Sequence, residues 1–244
     1  MKVIPVGIWG GYPKAESATS SFLIEHEGFR VLFDCGSGVL AQVQRYITLD
    51  EIDAVVISHY HADHVADVGS LQYHHLIAYY TGRPLRKLTF YAHDRDADGF
   101  SKLTYKEVAE GHAVAPGETY EIGPFSVTFA ETVHPVYCLA ARFEADGKAV
   151  VFTADTEFHE PLAEFASGAD LLVSEANLYE EYKGKSPGHM AGSEAGELAR
   201  LAGAKRLLLT HLPQDGDVQL ILSAAQEAFG GSARLAEAGD VIEV

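Results

Sequence analysis

The chain has 244 residues, 47% of them hydrophobic, and a formal net charge of −17 at pH 7. That is enough apolar material for a substantial core in one large domain or two tightly fused halves, and no apolar run approaches the roughly 18 residues needed to span a membrane. The acidity argues against a broad phosphate-binding surface, because nucleic-acid footprints need clustered Lys and Arg.

In chain order, Met1-Lys2-Val3-Ile4-Pro5-Val6 lacks the sustained apolar core of a signal peptide and reads as a first strand. Gly7-Ile8-Trp9-Gly10-Gly11 is a glycine-rich loop whose backbone could approach a phosphate, with Trp9 as an aromatic wall; such loops are weak signals alone. Ser21 to Asp34 reads strand, Glu27-Gly28 turn, strand, Asp. Ile52-Asp53-Ala54-Val55-Val56-Ile57 is short and nearly continuously apolar, the pattern of a buried strand. It runs into Ser58-His59-Tyr60-His61-Ala62-Asp63-His64.

His59, His61, Asp63 and His64 crowd metal-grade ligands into one short loop at a strand end, where open α/β sheets place ligands. His59 and His61 are two apart, so on extended backbone they leave the same face, while Asp63 and His64 point elsewhere. One loop can therefore feed two adjacent metals. Imidazole and carboxylate without thiolate suit zinc, manganese or iron. The bland alternative, a polar loop of hydrogen-bonded histidines, suits a lone His better than this spacing.

The same grammar recurs downstream. Phe125–Phe129 leads to His134, Ala149–Phe152 to Asp155, Asp170–Ser174 to Glu175 and Arg206–Thr210 to His211. The chain also looks like a diverged duplication. Cys138–Phe143, turning at Asp146-Gly147 toward Phe152 and Asp155, repeats the plan of Ser21–Asp34, and the run ending in Ser174-Glu175 parallels the run ending in Ser58-His59. A junction near Pro116-Gly117 divides halves of about 1–115 and 116–244. Alternating strands and helices put helices outside and sheets inside. Residues from about 193 to 203 carry Ala195, Leu198, Ala199 and Ala202 on one helical face, with His189 just before them.

Other residues receive plainer readings. His74 and His75 sit in a helical stretch with Leu71, Leu76 and Tyr79 and read as packing or surface histidines. His93 closes the strand Leu88–Tyr91, an ordinary strand end that could line a pocket; His26, His112 and His159 read as structural. Tyr179, Tyr182 and Lys183 could form a flap against substrate. Cys35 and Cys138 lack a CxxC partner and read as buried free thiols of a reducing compartment, so the chain is expected to be cytoplasmic.

The set His59, His61, Asp63, His64, then His134, Asp155 and His211, resembles the full metal motif of the metallo-β-lactamase superfamily, in order and over nearly the whole chain. The resemblance implies a four-layer αββα sandwich of two pseudo-repeated halves. It also implies two divalent ions, zinc first, with manganese or iron as alternatives. His59, His61 and His134 would hold one ion, Asp63, His64 and His211 the other, and Asp155 would bridge. Asp34 in Phe33-Asp34-Cys35-Gly36 would support the His loop from behind. Leu172-Val173-Ser174-Glu175-Ala176, Gly188-His189-Met190 and the run into His211 are similar to the ribonuclease Z branch, which includes phosphoribosyl cyclic phosphodiesterases. There the equivalents of Glu175 and His189 form a proton-donating pair. Ribonuclease Z commonly carries a tRNA-gripping arm between the equivalents of His134 and Asp155, where this chain has a single hairpin.

The expected function is a dinuclear metal-dependent hydrolase acting on a small phosphodiester or cyclic phosphate. A hydroxide shared by both metals would attack phosphorus, Asp63 would orient the nucleophile or accept its proton, and His189 held by Glu175 would protonate the leaving oxygen. A small anionic substrate is the expected partner, rather than long nucleic acid or a membrane; relatives are often homodimers, though no segment here marks an interface. The rivals are a thioester, lactone or lactam hydrolase of the same fold, and a tRNA 3′ endonuclease without its arm. An iron-dependent oxygen or nitric-oxide reductase would replace His61 by Glu and carry a flavin domain. A degenerate, non-enzymatic binder would have lost a ligand.

Overall fold

The computed structural model describes residues 1–244. Its first part runs β1 (Lys2–Gly7), β2 (Ser21–His26), β3 (Phe29–Phe33), α1 (Val39–Val43), β4 (Ala54–Val56), α2 (Ala62–Val65), α3 (Val68–Thr81), β5 (Leu88–Ala92), α4 (Ala97–Ser101) and β6 (Ala109–Ala113). It continues with β7 (Thr119–Ile122), β8 (Phe125–Glu131), β9 (Leu139–Ala145), β10 (Lys148–Phe152), α5 (Glu160–Phe165), β11 (Leu171–Glu175), α6 (Gly192–Ala202), β12 (Arg206–Thr210), α7 (Val218–Phe229), β13 (Ser232–Leu235) and β14 (Ile242–Glu243). No helix is long and apolar enough to cross a membrane.

The strands form two seven-stranded sheets, ordered β14-β1-β2-β3-β4-β5-β6 and β13-β12-β11-β10-β9-β8-β7. β1 through β3 pair antiparallel and β3 through β6 parallel; β8 through β10 and β10 through β13 repeat that pattern. β14 and β7 add an antiparallel edge to each sheet. The two halves are therefore pseudo-repeats, and helices cover the outer faces of both sheets.

Strand periodicity explains the layers. Ala54 and Val56 join the core between the sheets while Val55 points to the helices; Val150 and Phe152 face inward while Val151 faces out. The inter-sheet core holds Phe22, Phe33, Phe125, Phe143 and Phe152, with Phe33 and Phe152 stacked at a centroid distance of 4.6 Å. α6 is the helix expected around 193–203, and Ala195, Leu198, Ala199 and Ala202 are all buried on it. The segment between His134 and Asp155 is the β9–β10 hairpin.

Candidate metal centre

The ladder of β4 ends at Val56, and the chain then crosses the mouth of the cleft between the sheets. His59 Nε2 lies 3.1 Å from His61 Nδ1, which lies 3.2 Å from His134 Nε2. Asp63 and His64 follow on the short α2, which turns them to the other side of the cluster. Asp63 Oδ2 lies 3.2 Å from His211 Nε2 and 3.4 Å from His64 Nε2. Asp155 touches both groups, with Oδ2 3.7 Å from His59 Nε2 and 3.5 Å from His64 Nε2, and Oδ1 3.4 Å from His211 Nε2. Two sets thus converge, His59-His61-His134-Asp155 and Asp63-His64-His211, the candidate ligand atoms of each within 4.8 Å of one another.

The donors fit divalent cations. Ring nitrogens of three imidazoles converge at 3.1 and 3.2 Å, and the buried Nε2 of His64 has no hydrogen-bond partner. A cation among these donors would satisfy both arrangements. The His and carboxylate set, with no thiolate, suits zinc, manganese or iron. Burial, aided by the charge of His64, pushes His59 well below its usual range and favours its neutral form. Burial opposes charge on His64 too, but Asp155 and Asp34 outweigh it and raise this imidazole. Burial alone would raise Asp63 and Asp155, yet His211 and His64 hold both well below the carboxylate range.

The supporting residues come from the turn after β3. Asp34 Oδ1 accepts the Ser58 N–H at 2.8 Å; its Oδ2 accepts the Ser58 hydroxyl at 2.9 Å and lies 2.7 Å from His64 Nδ1. Ser58 Oγ in turn lies 3.0 Å from His59 Nδ1. One buried carboxylate therefore orients two histidines, leaving their Nε2 atoms toward the cluster. A side chain at Gly36 would collide with the Asp63 carbonyl, so the Asp-x-Gly turn needs glycine to let α2 sit against it. Asp34, Ala154 and His211 all have φ between 52° and 59°, strained backbone concentrated beside the site.

His189 lies at the rim. Its Nδ1 is 2.9 Å from Glu175 Oε1, and its ring stacks on His211 at 5.4 Å and meets His134 edge-on at 5.3 Å. Asp155, His189 and His211 also converge as a third group, so His189 is within reach of the cluster. Burial works against its charge, but the hydrogen bond and charge of Glu175 win and push it up to about 9. Glu175 is buried and accepts the N–H groups of Thr156 and Asn177 as well. The loop before His189 is seated by Gly188, whose carbonyl lies 2.9 Å from His134 Nδ1 and whose N–H donates to Glu157.

Several residues land elsewhere than expected. Trp9 packs on the helix-covered core of the second half, donates to Ser17 and carries Lys14 over its ring, so it is not the aromatic wall. Its loop contributes differently: the Gly11 N–H donates to Asp63 Oδ2 at 2.7 Å, and Gly10 packs against the His211 ring. Tyr179 donates to the Asp215 carbonyl and Lys183 to Ser193, so these two tie down a loop instead of facing the His/Asp cluster, while Tyr182 is exposed. His74 pairs with Asp50, His75 is buried on α3, His26 meets Asp146, His112 packs on Tyr91 and Tyr120, and His159 precedes α5. His93, read as an ordinary strand end or pocket lining, is in the wall of a cavity beside His61. Cys35 and Cys138 are free and buried; Cys138 Sγ lies 3.5 Å from His59 Nδ1, a contact that no local pattern signals.

The comparisons agree with this geometry. YhfI of Bacillus subtilis, named a probable metallo-hydrolase, is 42% identical over the full length of both chains. Its crystal structure superposes with a TM-score of 0.94, covering 99% of this chain and 98% of that one. A ribonuclease Z of Halorubrum lacusprofundi is 29% identical, covering all of this chain and 97% of its own. The short form of human tRNase Z, at 22% identity, shares the fold with a TM-score of 0.78 over 100% of this chain and 99% of its own. The model of the β-lactamase superfamily domain matches residues 29–212, from the first residue of β3 to the one after His211. That span encloses every residue of the His/Asp cluster: the chain belongs to the β-lactamase superfamily, as a metallo-hydrolase with ribonuclease Z among its relatives.

Proposed function

We propose that the protein is a dinuclear metal-dependent phosphodiesterase acting on small phosphodiesters or cyclic phosphates. The observation that carries this reading is the Glu175–His189 pair, a buried carboxylate holding an imidazole beside the cluster. His59, His61 and His134 would hold one ion, Asp63, His64 and His211 the other, with Asp155 between them. Bound ions would lower the pKa of an attacking water and neutralise charge on the phosphoryl oxygens. Asp63, whose carboxylate accepts the Gly11 N–H, would orient the nucleophile or accept its proton. His189 keeps Nδ1 on Glu175, so Nε2 is the atom that delivers a proton to the departing oxygen.

A small substrate is favoured over tRNA by the charge of −17 and by the short β9–β10 hairpin. The Halorubrum alignment runs to 308 positions against a chain of 244, so that ribonuclease Z carries segments without counterpart here. Two buried free thiols fit a reducing compartment, the basis for placing the protein in the cytoplasm.

His189→Ala separates a general acid from a mere rim residue. The variant should keep its metals and lose about 10²–10⁴-fold in kcat on alkyl leaving groups, and far less on p-nitrophenol, which departs without a proton. Equal losses on both, or loss of metal, would refute the role. Efficient 3′ processing of precursor tRNA by the wild type would overturn the small-substrate reading.

A further inference from the structure

Beside His61 opens a cavity of about 630 Å³, within the size range of small-molecule sites. Both halves line it: Tyr60, His93 and Arg95 from the first, Val136 and Tyr137 from the second. Its wall is a row of three rings. His93 lies edge-on to Tyr60 and to Tyr137, each at 4.8 Å, and the Arg95 guanidinium is 5.8 Å from the Tyr137 ring. The row is held in place before anything binds. The Tyr60 hydroxyl donates to the His93 carbonyl at 2.6 Å, and its ring packs so closely on Gly99 that a Cβ there would collide with it. Gly99 is itself fixed by its N–H on Asp96 Oδ1.

Two features define what fits. His93 is 2% exposed, so it serves as the buried middle of the row and the faces open to a ligand are those of the half-buried Tyr60 and Tyr137. The remaining charges are one cation, Arg95, against the carboxylates of Asp96 and Asp98. A second anionic group would meet more negative than positive charge, whereas a flat neutral ring finds aromatic faces. We infer that this cavity is the subsite for an uncharged aromatic or heterocyclic ring carried by the substrate, next to the phosphoryl group. The inference rests on the phosphodiesterase reading, and it adds that the favoured ester bears such a ring and no second phosphate.

Calorimetry on the metal-loaded protein tests it with four phosphomonoesters: methyl, phenyl, 4-carboxyphenyl and thymidine 5′-phosphate. A ring stacked on aromatic side chains should tighten binding by about tenfold or more over methyl phosphate. A gain for phenyl alone identifies an aryl group, and a gain for thymidine a heterocycle. The 4-carboxyphenyl ester should lose most of the gain. Tyr137→Ala should abolish the ring advantage while leaving methyl phosphate nearly unchanged, and Tyr137→Phe should retain it. Equal binding of methyl and ring-bearing esters, a preference for the carboxylated ring, or a Tyr137→Ala loss shared by methyl phosphate would overturn the subsite. Failure of the wild type to hydrolyse any phosphodiester would instead sink the phosphodiesterase reading. In that event, saturation-transfer NMR of phenol and thymidine on metal-stripped protein still decides: transfer lost in Tyr137→Ala supports the ring subsite, and no transfer to the wild type refutes it.

Discussion

The two halves start from one framework and end in different chemistry. Asp53, just before β4, accepts the Arg30 N–H on Oδ2 at 2.7 Å and returns its own N–H to the Arg30 carbonyl at 2.9 Å. Asp170, just before β11, makes the same reciprocal pair with Ala149 at 3.0 and 2.9 Å. Each carboxylate also takes a cation from the entry to the next parallel strand: Arg86 on Asp53, Lys205 on Asp170. At the other ends of the same two strands the resemblance stops. Ser58-His59 continues into a loop with four candidate ligands, whereas Ser174-Glu175 turns its carboxylate to His189. The second half delivers His134, Asp155 and His211 singly, from separate strand ends. Strand entries hold the frame, and strand exits are where chemistry diverged.

That division predicts different failures in the two halves. The largest effect belongs to Gly36→Ala and Asp34→Ala, which disturb the turn that seats α2 and orients His59 and His64. Loss of such outer support typically costs 10–100-fold in metal affinity, so metal content by mass spectrometry should fall and hydrolysis with it. Glu175→Gln, at the matching strand end of the second half, should leave metal content unchanged and lose about 10²-fold or more in kcat on alkyl leaving groups. If Glu175→Gln strips metal as Asp34→Ala does, the division of labour between the halves is wrong.

The core between the sheets should answer next. Phe152 stacks on Phe33 and touches Phe22 and Phe143, two partners from the first half and one from its own. Phe152→Ala removes contacts on both sides and should destabilise by about 3–5 kcal/mol, read from the denaturant midpoint. A much smaller loss would mean that the sheets close over the gap.

Much of this was legible in the sequence because ligands that share one loop, or that end apolar runs, are visible locally. His59 to His64, the strand ends at His134, Asp155, Glu175 and His211, and the repeated hairpin all have that character. The ring cavity does not. Tyr60 is masked by the histidines around it, and Tyr137 and His93 are brought together only when the two sheets face each other. The Gly11 N–H on Asp63 is invisible for a related reason: a backbone donor has no residue type to announce it. Trp9 misled because a lone aromatic next to glycines reads alike whether it packs inward or lines a site.

The smallest effect probes the shared strand entry. Burial would raise the Asp170 carboxyl, but the Lys205 ammonium, the Ala149 N–H and Lys148 outweigh it and hold its pKa at about 2. An unfolded Asp titrates near 3.9, so the folded state prefers the carboxylate. Its stabilisation is complete above about pH 4 and is lost as pH falls toward 2. The side chain is 8% exposed but its lysines are 47% and 66% exposed, so solvent screening trims the contribution to about 1–2 kcal/mol. Asp170→Asn should lower stability by that amount at pH 7, and the gap to the wild type should narrow steadily between pH 4 and pH 3. Salt should shrink the part due to the lysines while leaving the Ala149 hydrogen bond. A gap independent of pH would mean that Asp170 contributes the shape of a strand entry and not its charge.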